Sequence, residues 1–279
     1  MAYRTITTVL TDPDLNASAL KAAMEMASRE QAHLDVLCLG LDRTQPGFYY
    51  AGANAMVVQD NLTQAREDSE RLEAYARDML KGVDFNWSAT GISAQMVALT
   101  GLIAHRTRFS DLVVLPRPYG TGRGHDCEAI TEAAMFDGDV PVLIQPDGVG
   151  LPEHINTVLV AWNESTEAMR GVRAALPLLQ KAETVNIAIV DPPQHGPERS
   201  DPGGALSQML SRHGVRPEVS VLSKTMPRVC DVLTRHANDI GTDLIVMGAY
   251  GHSRFRESIL GGATRNMLEL AEVPVLMAH

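Results

Sequence analysis

Cysteine is scarce: the 279 residues hold three, Cys38, Cys127 and Cys230, and no CxxC pair. That excludes a disulfide framework and a cysteine-based zinc site. Aromatic residues make up 5% of the chain, and 24 Lys and Arg stand against 34 Asp and Glu. A net charge of −10 speaks against the basic face that binding a nucleic-acid backbone requires. No apolar run approaches the ~18 residues of a membrane span, and MAYRTITTVLTDPD at the start has no apolar stretch of signal-peptide length. The expectation is a soluble protein of a reducing compartment, the cytoplasm, with neither nucleic acid nor membrane as partner and no metal site.

What is present is a globular composition, 45% apolar and 21% charged, of a length that suits about two domains. The charge is uneven. Residues 1–148 carry 12 basic and 20 acidic side chains, net −8, whereas 149–279 carry 12 and 14, net −2.

The chain repeats itself. TVLTDPD (8–14) is similar to TVLVAWN (157–163), DLVVLP (111–116) to DLIVMG (243–248), and VPVLIQ (140–145) to VPVLMA (273–278). The offsets are 149, 132 and 133, so the first copy holds about 17 more residues between its first and fourth strands, placed naturally in 41–61 around Phe48, Tyr49 and Tyr50. The seam falls at PDGVGLPEH (146–154), giving domains 1–147 and 154–279.

In each copy short apolar runs alternate with amphipathic stretches. In the second, 156–161, 185–190, 217–222, 243–248 and 273–278 read as buried parallel strands. Between them, 164–182, 203–214, 228–241 and 263–272 show the apolar spacing of helices that cover a sheet. The first copy follows with strands near 6–11, 34–39, 85–90, 111–116 and 140–144, and helices near 15–32, 62–81, 94–108 and 127–137. Five βα alternations per copy predict an α/β protein of two tandem doubly wound domains.

In such sheets ligands sit at the carboxyl ends of the strands. After the fourth strand of the second copy comes GAYGHSRFRESILGGATRNMLEL (248–270), in which Gly248 and Gly251 open a loop and Gly261 and Gly262 precede a helix. Glycines let backbone N–H groups approach a phosphate, and a helix N-terminus adds partial positive charge. Arg254 in that loop is expected to reach a β- or γ-phosphate, since arginine pairs bidentately with phosphate oxygens; the alternative is a solvated loop face that pairs with Glu257 or with the acidic first half.

This G-x2-G-x9-G pattern, with VLVAWNES (158–165), DLIVMGAYG (243–251) and the final VPVLMAH (273–279), resembles the universal stress protein family, and both copies together resemble a tandem member. The resemblance implies sheets of order 3-2-1-4-5 and a bound adenine nucleotide, ATP foremost, optionally with Mg²⁺. By position it implies base or ribose contacts at Asn163 and Val190, and ribose and phosphate contacts at Met247, Gly248, Gly251, Gly261, Gly262, Ala263 and Thr264. Two positions depart from the pattern: Asn163 stands where an acid is usual, and Gly262 where Ser or Thr is usual. Family members pair through their last strand, which implies an intramolecular pseudo-dimer, a homodimer, and an unknown protein partner.

In the first copy Pro116 replaces Gly248, and Gly120, Gly122 and Gly124 precede a helix that Asp126 can cap. Asp14 takes the acidic position. A carboxylate at a helix start competes with phosphate for the same N–H groups, so this copy reads as degenerate. GxxxxGK[ST], GxSxG and HExxH are absent, and no catalytic residue can be named. The reading is a stress-response nucleotide-binding protein that acts through conformation or partners. A nucleotide-free dimerising scaffold is the alternative, and a slow ATP hydrolase a third.

Overall fold

The computed structural model describes residues 3–42, 55–192, 200–249 and 262–279. The chain divides into two compact units, Tyr3–Val140 and Pro141–His279.

In the first unit the elements are β1 (Thr5–Leu10), α1 (Pro13–Glu30), β2 (His33–Asp42), α2 (Ala55–Met79), β3 (Trp87–Gln95), α3 (Leu99–Thr107), β4 (Leu112–Pro116) and α4 (His125–Glu132), extended by a π turn at Ala133–Asp137. Helix α1 starts where local chemistry puts it. Asp12 accepts from the N–H groups of Asp14 and Leu15, and Pro13 fills the first turn, where no donor is needed. Its face of Ala19, Ala22, Ala23, Met26 and Ala27 is buried, and small residues let a helix lie close to a sheet. The strands run in the order β3-β2-β1-β4. Strand β3 continues to Gln95, past the expected 85–90, because it pairs residue by residue with the long β2, from Leu34 opposite Trp87 to Asp42 opposite Gln95. The expected helix at 94–108 is correspondingly shorter.

The second unit contains β5 (Val142–Gln145), β6 (Thr157–Ala161), α5 (Thr166–Leu179), β7 (Thr184–Val190), α6 (Gly204–Arg212), β8 (Pro217–Leu222), α7 (Val229–Asp239), β9 (Leu244–Gly248), α8 (Ala263–Leu270) and β10 (Val275–Ala278). Its sheet runs β8-β7-β6-β9-β10-β5. All neighbours are parallel except β5, which pairs antiparallel with β10 through Val142–Met277 and Ile144–Val275. The compact units part at 140/141, because the ladder to β10 holds β5 in the second unit.

The repeat is exact at the strand starts. Asp111 accepts from the N–H groups of Arg4 and Thr5, and Asp243 from those of Asn156 and Thr157. Ile6 pairs with Leu112 as Val158 pairs with Leu244. The shift between first strands, Thr5 to Thr157, is thus 152 positions, not 149, and the excess of the first copy is 20 residues, not 17. The shared TVL triplet misplaced the register by three. Under the true register Thr11, not Asp14, corresponds to Asn163. Most of the insertion at 41–61 lies outside the described residues.

Candidate functional site

At the carboxyl end of the second sheet a cleft of about 100 Å³ is lined by Ala161, Trp162, Asn163, Ala188, Val190, Val229, Leu233, Met247, Gly248 and Ala263. Five of the expected site residues, Asn163, Val190, Met247, Gly248 and Ala263, are brought together here. Gly251, Arg254 and Gly261 lie outside the described residues.

Each wall has a local cause. Strand β6 ends at Ala161, and Ser165 caps α5 by accepting from the Ala168 N–H at 3.1 Å. The turn between them needs Glu164 in the left-handed region, at φ 61°. Asn163 is exposed, and its Oδ1 accepts from the Ser165 N–H at 3.2 Å. Its amide NH₂ has no partner among the described residues, so the side chain offers a donor where a carboxylate would offer acceptors.

Strand β9 delivers Met247, 6% exposed, and then Gly248. Helix α5 lies so close that a Cβ on Gly248 would run into the Ala168 nitrogen and the Glu167 carbonyl carbon, and one on Gly171 would come within 2.7 Å of the Met247 carbonyl oxygen. Gly248 is thus demanded by helix–strand packing, whatever it offers a ligand. Val190 ends β7 opposite Leu222, while Val229 and Leu233 of α7 supply the apolar wall.

Opposite them, α8 begins at Ala263 without a side-chain cap and without an acid in its first turn. Gly262 takes φ −58° and ψ 162° at the cap position. Such an end presents partial positive charge to an anion. Thr264 is buried at 4% exposure and is not among the residues that line the cleft.

The same place in the first unit is almost filled. A void of about 10 Å³ remains among Val9, Thr11, Asn16, Leu115, Pro116, Cys127, Ile130 and Thr131. Asn16, 3% exposed, folds over the turn, and its Oδ1 accepts from the N–H groups of Thr11 and Asp12, both at 2.9 Å. Sequence reasoning missed this residue; a polar side chain one turn into a helix, on its apolar face, was the available signal. Helix α4 is capped by Gly124, not Asp126; Asp126 is buried within the first turn, its carboxylate folded against Gly124. Cys127 is a packed thiol, its pKa pushed up by burial; Cys230 is likewise pushed up, to about 11. Among the described residues no group of His, Cys, Asp or Glu gathers as a metal site, and no helix is long and apolar enough to cross a membrane.

Fold and cleft define a doubly wound α/β domain with an open cleft at its strand ends. Residues 154–279 match the model described as "Universal stress protein family". Universal stress protein Slr1230 of Synechocystis sp. is 33% identical over 73 residues, 26% of this chain and 24% of that protein, so the match spans about a quarter of the curated relative. A universal stress protein from Archaeoglobus fulgidus DSM 4304 superposes with a TM-score of 0.68 at 16% identity, over 98% of this chain and 95% of that one. A functionally unknown protein from Pseudomonas aeruginosa PAO1 superposes at 0.57 and 17%, over 99% and 92%. Residues 154–279 are thus similar in sequence to that family, and the fold is that of these neighbours.

Proposed function

We propose that the second copy binds an adenine nucleotide, ATP in the first place, and that the protein works by nucleotide-linked changes of conformation or partner rather than by fast catalysis. The observation that carries this reading is the cleft itself. The ends of β6, β7 and β9 converge on one opening, with an apolar wall for a flat ring on one side and the uncapped, acid-free N-terminus of α8 on the other. Val190, Met247, Val229 and Leu233 would hold the base, and Asn163 would reach the base or ribose. Gly248, Gly262 and Ala263 would carry phosphate, with Gly251, Arg254 and Gly261 joining from the same loop. A bound nucleotide would supply negative charge for the α8 end, and Mg²⁺ would accompany a triphosphate.

The first copy is proposed as a degenerate, structural half, because Asn16 and Pro116 occupy its corresponding space. An intramolecular pseudo-dimer of the two copies belongs to the same proposal, and three buried free thiols suit the cytoplasm. The nucleotide-free scaffold remains the second reading, favoured by the burial of Thr264 and the missing hydroxyl at Gly262.

Thermal denaturation with and without ATP separates the two. At 100 times its dissociation constant a ligand adds about 2.7 kcal/mol of stability. A rise in melting temperature with ATP or AMP is expected; no shift at millimolar nucleotide overturns the binding reading and leaves the scaffold.

A further inference from the structure

The two units treat their outermost strands differently. β3 and β8 each have one neighbour, and each meets it through even-numbered residues. The Leu34 N–H donates to the Asn86 carbonyl, the Val185 N–H to that of Arg216 and the Asp191 N–H to that of Leu222. Alternate residues of a parallel ladder face the neighbour, so the odd-numbered residues of β3 and β8 turn their N–H and C=O groups outward. In the first unit two of these groups are taken by side chains of the 25-residue helix α2. Glu73 accepts from the Gly91 N–H at 2.8 Å, and Arg77 donates to the Ala89 carbonyl at 3.1 Å. The same ladder positions in the second unit are Val221 and Val219. Their helix, α6, has only nine residues. The outward N–H and C=O groups of Val219 and Val221 have no partner among the described residues. Both side chains are exposed, on one face of the strand. Pro217, the odd residue before them, has no N–H and bounds the open stretch.

We propose that β8 is a docking edge for β8 of a second copy of this chain, antiparallel about a twofold axis at Ser220. The stretch is its own complement. With Val219 opposite Val221 of the second copy, and Val221 opposite its Val219, each pair exchanges two backbone hydrogen bonds. All the open donors and acceptors of the two valines are then met, and the four valine side chains join on one face. Exposed Glu218 takes a register position between Arg216 of its own strand and Lys224 of the second copy, so opposite charges meet at each end. Six-residue strands bury far less than the roughly 800 Å² per partner of a stable interface. Association is therefore weak, half complete at roughly 10–100 µM.

The test is sedimentation velocity of the full chain over a concentration series, with residue-resolved amide exchange alongside. The parent is expected to pass from monomer to dimer while exchange of the Val219 and Val221 amides slows. Val221→Lys, at an exposed position, is expected to weaken dimerisation by about tenfold or more. Val219→Pro removes an outward N–H and no bond to β7, and is expected to do the same. Should the proline variant not fold, the lysine variant decides alone. A parent that is monomeric at about 1 mM overturns the proposal and leaves the edge to an extended segment of another protein. A dimer that Val221→Lys leaves intact, with no slowing at Val219 and Val221, also overturns it and places the interface elsewhere.

Discussion

The two units place the same strands in the same order around the same strand-end position, and differ in what fills it. In the first, about 10 Å³ remains beside Asn16 and Pro116; in the second, about 100 Å³ opens beside Trp162 and Gly248. The sheet does not decide whether a site exists. Three local differences do. The turn after the first strand gains one residue in the second unit, from Val9 and Asp12 to Ala161 and Ser165. A buried amide pins the shorter turn. And the helix facing the cleft carries acids in its first turn in one copy, Asp126 and Glu128, and none in the other.

The comparison breaks most sharply at Gly248. In Gly248→Ala the new Cβ meets backbone of α5, which cannot swing away as a side chain would. The expected loss is about 2 kcal/mol, together with any nucleotide-induced rise in melting temperature. Unchanged stability would mean that α5 moves freely and that the close approach is not what requires glycine. The counterpart in the filled copy is Asn16→Ala. It leaves the Thr11 and Asp12 N–H groups without their acceptor and should cost about 2 kcal/mol in chemical denaturation, with no gain of nucleotide response. A nucleotide response appearing in a variant that also carries an inactivated second cleft would show that Asn16 alone closes the first site.

Much of this was legible in the sequence and some was not, for physical reasons. The repeat and the βα alternation follow from apolar runs, which report burial, whereas the strand order and the placement of Asn163, Val190, Met247, Gly248 and Ala263 follow from the family resemblance. The register did not follow: TVL fits β1 in two places, and only the ladder to β4 distinguishes them. The extension of β3 past residue 90 did not follow either, because GISAQ has no apolar run; β2 recruits it. The burial of Thr264 did not follow either, since spacing does not say which way a residue one step into a helix turns.

The outer strands extend the contrast. In the first unit the edge strand β3 is guarded: Glu73 accepts from the Gly91 N–H at 2.8 Å, while Arg77 bonds Glu73 and the Ala89 carbonyl and lies over Trp87. On β8 in the second, Val219 and Val221 are 41% and 54% exposed. The Arg77 hydrogen bond first, then that of Gly91, holds the Glu73 carboxyl below its usual range. A depressed pKa gives stability that is present above the unfolded carboxylate's pKa of about 4.3 and is lost as pH falls through the folded value. Glu73→Gln should therefore cost about 1 kcal/mol at pH 7, with parent and variant converging on acidification below about pH 4. A gap independent of pH would assign the effect to shape rather than charge.

The smallest effect tests the extra turn residue itself. Glu164 is exposed and holds φ 61°, a region in which a side chain is penalised and glycine is not. Glycine gives back part of that gain through the freedom of its unfolded chain, so Glu164→Gly should stabilise by about 0.5 kcal/mol. In a unit of this size that is about 1–2 °C in melting temperature. Because Trp162 and Asn163 precede this residue, the same variant reports whether the strained turn serves the cleft. A gain in stability with unchanged nucleotide response makes the left-handed residue a mere connector. A gain accompanied by a weaker response means that Glu164 holds Trp162 and Asn163 in place, and that the one-residue difference between the copies is what made one of them a site.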